Sequence, residues 1–441
     1  MRRTVADARA RRRPWHGGSV TLLRSLFLLA SSCAPGASAP DARGAGSDSA
    51  DPAQATDSAA PGDPDRLRVP VRFVPTDRGL TEDRAVAGLA WALTHLGAAP
   101  PPDPDTWLPL DGDARWLDLE AARLPQAAHH PAALALAPLR HSDEVAARGA
   151  IDAGRLLART LHEPWWYYAI TGACLSLDDW RAARGPSPAA TYGVTESLLV
   201  DADRLIRFDP GPWVDLAGLS FEVETGDGVL DGSAAPLEAE VIDLMPSGQQ
   251  RFALYGPDGA LMPAADPAHV PAGQPAKCMW CHEGNLMSGT PDNPTTAPHA
   301  SYAEWIAALG GMTDTLTAHR SVTPVAFDWA DPQVHTDAEL VVREFLLPTP
   351  DRAARELGWT EAAVQARIDA GDLHAAPDPE WPDRGPVLRR SQVDALMPDY
   401  APLPVLDDGR DAAAVLARGA DRPAEVPAPT CFSWAEGALG R

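Results

Sequence analysis

The sequence predicts an α+β protein, mainly helical, with a small antiparallel β-meander. Three observations carry this expectation. Residues 81–97 and 116–170 are rich in alanine and leucine, with helix-type caps and apolar spacing. Residues 219–265 instead hold short strand-like runs divided by the turns Pro246-Ser247-Gly248 and Pro257-Asp258-Gly259. A hydrophobic content of 45% with 22% charged residues belongs to a chain that buries a core, in spite of 45 prolines.

The first 32 residues carry seven arginines and one aspartate, then a short apolar run from Leu26 to Ala30 that stops at Cys33. A bilayer span needs about 20 apolar residues, so residues 1–32 are expected to be a signal peptide and not a membrane helix. Ala30-Ser31-Ser32-Cys33 resembles the lipobox of bacterial lipoproteins, with Ala30 where leucine is usual. The resemblance implies lipidation of Cys33 and a location in the cell envelope, periplasmic or surface-exposed, with membrane contact through the lipid anchor only. Arg24 interrupts the apolar run, which a translation start near Val20 would explain. A cytosolic chain with a chance cysteine is the other reading. Residues 33–65, nearly all Ala, Gly, Ser, Pro and Asp, form the linker expected after a lipidated cysteine, since such a composition cannot bury a core.

Residues 66–218 are expected to be a mainly helical domain. It opens on a strand in which Leu67, Val69, Val71 and Phe73 alternate with polar residues, weakened by Pro70 and Pro75. Thr81-Glu82-Asp83 then caps a helix ending near Gly97, residues 98–115 read as loop, and 116–170 as helices broken at Pro125, Pro131, Pro138 and Pro164. His162-Glu163-Pro164-Trp165-Trp166-Tyr167-Tyr168 concentrates aromatic residues for core packing, with a ligand pocket as the lesser reading. Among the histidines, His129, His130, His141 and His162 are ligand candidates only in the loosest sense. Residues 219–335 are expected to join the meander to the segment that carries the chemistry.

That segment is Cys278-Met279-Trp280-Cys281-His282, a C-x-x-C-H arrangement. With five cysteines and twelve histidines in 441 residues, chance supplies about 0.002 such motifs per chain. A thioredoxin-like redox pair would need a βαβ context, and a zinc site would need a second Cys/His pair at short spacing. The segment resembles the haem-attachment site of c-type cytochromes, over little more than the motif itself. The resemblance implies a cytochrome-c-like haem segment in which Cys278 and Cys281 hold haem c covalently and His282 is the proximal iron ligand. For the distal ligand, Met312 follows the Gly310-Gly311 loop and is the preferred candidate. Met287, Met397, His299 and His319 are the others, and a five-coordinate iron is a further alternative.

Residues 336–406 carry a second resemblance, to the winged helices of excisionase type. Leu357-Gly358, the cap Thr360, a helix ending at Gly371 and the run Arg390-Ser391-Gln392-Val393-Asp394-Ala395-Leu396 follow that pattern. Residues 351–400 nevertheless hold six arginines against ten acidic residues. Affinity for nucleic acid comes from neutralising phosphates, so a module for packing or partner contact is expected and no nucleic acid is. Residues 407–441 read as a C-terminal tail containing Cys431, which can pair with Cys174 in an oxidising compartment.

The formal charge of -24 comes from 37 basic and 61 acidic residues, and becomes -30 once residues 1–32 are removed. Together these features point to a mono-haem, c-type cytochrome-like lipoprotein that passes electrons to a redox partner protein. A haem-free surface lipoprotein serving as a binding or structural scaffold, and a haem-dependent sensor or enzyme, stay open.

Overall fold

Arg68–Arg72 form strand β1 in a sheet with β2 (Leu110–Asp111), β3 (Ala114–Asp118) and β4 (Ile151–Asp152), in the order β2-β3-β1-β4. The computed structural model describes residues 67–74, 80–112, 114–124, 130–184, 190–194, 202–208, 220–245, 249–265, 275–282, 337–378, 385–397 and 421–431. β1 runs antiparallel to β3, with Val69 opposite Leu117, and parallel to β4 only at Val71 and Arg72. Pro70 therefore sits outside the parallel ladder, where its missing N–H costs nothing. Helix α1 (Glu82–Thr94) starts at Thr81, whose hydroxyl accepts the Arg84 N–H at 3.3 Å.

Helices α2 (Pro131–Leu136), α3 (Asp143–Arg148), α4 (Ala153–Leu157), α5 (Pro164–Thr171) and α6 (Leu177–Arg184) follow. Pro131 and Pro164 open helices instead of breaking them: at the first position the missing N–H has no partner to lose. The second sheet is an antiparallel meander of five strands, β5 (Ala190–Val194), β6 (Arg204–Phe208), β7 (Ser220–Thr225), β8 (Glu238–Leu244) and β9 (Gln250–Tyr255). Residues 66–218, expected to be mainly helical after an opening strand, thus also supply β2 to β6, with β2 inside the stretch 98–115 read as loop. β2 and β4 are two residues each, too short for a period-two signal. β6 is stabilised by charge pairs with later strands, Arg204 to Glu240 at 3.1 Å and Arg207 to Glu222 and Glu224 at 2.9 Å.

Helix α7 (Pro275–His282) comes after the meander, then α8 (Asp337–Leu346). α8 crosses α1 at Gly88 and α4 at Gly154, where any Cβ would collide with α8. One core therefore draws on β1, α1, α4, α5, the meander, α7 and α8. The chain then builds α9 (Pro350–Leu357), α10 (Glu361–Asp369), a two-stranded antiparallel ribbon β10 (Ala376–Pro377) and β11 (Pro386–Val387), and α11 (Arg390–Asp394). Thr349 and Thr360 cap α9 and α10, and Gly358 takes the left-handed conformation that ends α9. These elements enclose a small core of their own around Leu357, Val364, Leu388 and Val393. The expected tail is partly packed: Val426 is buried in the main core, and the Cys431 N–H bonds the Ala173 carbonyl at 3.2 Å. No helix among the described residues is long and apolar enough to cross a membrane.

Candidate functional site

The C-x-x-C-H motif lies on α7, an eight-residue helix opening on Pro275. Ala276 and Met279 are fully buried in the main core, which fixes one side of the helix against the body. Cys278 is half-buried at the edge of that core. Residues three and four apart share a helix face, so positions 278, 281 and 282 lie along one side, with 281 roughly half a turn from Met279 and 282, three residues on, bordering the Met279 side. The side chains of Cys281 and His282 lie outside the described residues, as do Cys33, Met287, His299, Met312 and His319. Met397 is buried in the small C-terminal core with Leu388 and Val393, a packing position.

Three elements support α7: β9, helix α5 and the π-helical turn Ala158–His162 that leads into α5. The turn is closed by the Glu163 N–H on the Ala158 carbonyl at 3.1 Å, and the Arg159 guanidinium stacks on Trp166 at 4.9 Å. Single π turns within helices recur at functional sites. All eight residues of α5 are buried, and Gly172 ends it in the left-handed conformation.

The tyrosines of α5 fasten it to the sheet. The Tyr167 hydroxyl accepts the Phe252 N–H at 3.1 Å, and the Tyr168 hydroxyl donates to the Met262 carbonyl at 2.8 Å. Trp165 meets Tyr168 edge-on at 5.9 Å, a favoured aromatic geometry. Burial pushes both phenols well above their ordinary value, and the nearby Cys278 adds to the shift. The cluster read from sequence as core packing is therefore core, and it also forms the floor beside Cys278. Nothing local in the sequence links residues 164–171 to residue 278; the contact is made by the fold.

Cys174 and Cys431 are joined by a disulfide, with 4.1 Å between their Cα atoms and a sequence separation of 257. Tyr255 donates to the Cys174 carbonyl at 3.2 Å, which ties the bridge to β9. Of the other histidines, His130 caps α2 by accepting the Ala132 N–H at 3.1 Å, and burial lowers its pKa to about 4. It is a structural, neutral imidazole at ordinary pH.

Two thiols and an imidazole on one eight-residue helix are the donor types covalent haem c would need, with Cys278 at the core edge and Ala276 and Met279 holding the helix on the body. Among the described residues, no group of three or more His, Cys, Asp or Glu side chains is placed to hold a metal ion. Comparison of the chain with protein-family models, with curated proteins and with solved structures finds no match.

Proposed function

We propose that this chain is a mono-haem c-type electron carrier, anchored to the cell envelope through a lipid on Cys33. The observation that carries the reading is the C-x-x-C-H motif on a helix seated by Ala276 and Met279 against an aromatic floor. Cys278 and Cys281 would hold haem c through thioether bonds, His282 would be the proximal ligand and Met312 the distal one. Bound haem supplies a one-electron couple whose potential follows its axial ligands and burial. The chain's own contribution is positional. β9, α5 and the π-turn hold α7 in place, and the buried Trp165, Tyr167 and Tyr168 keep water from its inner side.

The C-terminal elements support a winged-helix-like module used for packing. Its helix pair, ribbon and final helix follow the expected order, and its acidic balance argues against nucleic acid.

Absorbance of the purified full chain tests the proposal. A Soret band with a sharp reduced α-band is expected, together with a haem-stained gel band that disappears in Cys281→Ala. A chain with no Soret band would be a haem-free scaffold, and a high-spin spectrum would favour a sensor or enzyme.

A further inference from the structure

Four arginines and five carboxylates, from segments far apart in sequence, meet where the C-terminal elements contact the body. Arg155 of α4 pairs with Glu144 at 2.6 Å and with Asp394 of α11 at 2.8 Å. In the opposite direction, Arg352 of α9 reaches Asp152 at 2.9 Å and Glu344 of α8 at 3.8 Å. Arg390 closes the far side on Glu356 and Asp394, each at 2.9 Å, and Arg72 of β1 meets Glu144 at 3.1 Å. The Phe345 ring of α8 carries two guanidiniums, Arg155 at 4.8 Å and Arg390 at 4.5 Å from its centre.

Two features set this contact apart from ordinary core. Residues 349–378 and 385–397 enclose their own apolar cluster, separate from the main core. What joins them to the body is dominated by charge, with the Arg148 guanidinium donating to the Leu357 carbonyl at 2.8 Å as a further polar tie. Buried ion pairs cost desolvation that their attraction only partly repays, so they specify a docking geometry more than they add stability. Polar contacts between units of one chain are also the kind that open and close.

We propose that residues 349–378 and 385–397 form a releasable module, latched to the body by the reciprocal pairs Arg155–Asp394 and Arg352–Asp152, and that its seating is transmitted to the C-x-x-C-H helix. The transmitting element is continuous: α4, which carries Arg155, runs without a break into the π-turn Ala158–His162, and that turn packs on α7. The inference needs no haem and stands apart from the electron-carrier reading.

Arginine-selective dicarbonyl labelling of the full chain in a urea series tests release. Arg155, Arg352 and Arg390 should become reactive together at urea concentrations where Arg251 of β9, equally buried and paired with Asp243 of β8, stays protected. Simultaneous labelling of all four overturns the module. Asp394→Asn should raise labelling of Arg352 and Arg390 roughly a hundredfold without exposing Arg251; unchanged labelling overturns the latch. Amide exchange at residues 158–162 and 275–282 should rise in the same variant, and unchanged exchange there, with the module released, overturns the transmission.

Discussion

Arg155 and Asp394 stand 239 residues apart in the chain and meet at 2.8 Å with both side chains buried. The fold of this protein is organised around that kind of relationship, in which a charge on one element is neutralised by a partner the chain reaches only much later. Burial alone would lower the Arg155 pKa, but Glu144 and Asp394 outweigh it and hold the guanidinium firmly charged. Replacing Arg155 alone with Met should cost about 3–5 kcal/mol, because buried carboxylates lose their counter-charge. Replacing Arg155 with Met and Asp394 with Leu together should recover most of that loss, as read from the midpoint of the earliest urea transition.

Glu356 gives the pH dependence. Burial would raise its pKa, but Arg390, Arg352 and Arg155 outweigh burial and hold it at about 2 against an ordinary 4.5. A carboxylate depressed by folding contributes stability above its unfolded pKa and loses it as pH falls through the folded one. The contribution, about 3 kcal/mol, should therefore be complete above about pH 5 and vanish by about pH 2. Urea denaturation between pH 6 and pH 3 should show this decline in the parent chain and a much flatter dependence in Glu356→Gln.

Gly154 lies where α4 packs against α8. A Cβ at that position would land on the Phe345 side chain and 2.9 Å from the Val341 carbonyl. Gly154→Ala should destabilise the protein by about 1–3 kcal/mol, against the usual helical preference for alanine, because the crowded atoms include backbone. A thermal melt at or above the parent midpoint would contradict this.

The disulfide closes a loop of 257 residues. Long loops lose the most unfolded-state entropy on closure, so Cys174→Ser with Cys431→Ser should cost about 2–5 kcal/mol. Amide exchange should rise first at the Cys431 N–H, which the bridge holds on Ala173.

The sequence by itself determined the local pieces. Thr81 and Thr360 announce helix starts and do cap α1 and α10, because capping is a bond between neighbours in sequence. The three strands β7 to β9 were legible in their alternation and turns, and Cys278, Cys281 and His282 stood out by spacing alone. The strands β2, β4 and β6 did not, being too short or too charged to pattern. Tertiary structure decided what lies beside each piece: Tyr168 near Cys278, Cys431 on Cys174, and Asp394 on Arg155. Those contacts depend on burial, which turns a surface-type arginine or aspartate into a partner whose removal alone costs several kcal/mol. Residue type and spacing determine the local preference, and only the surrounding dielectric and packing decide whether a charge is solvated or becomes part of a latch.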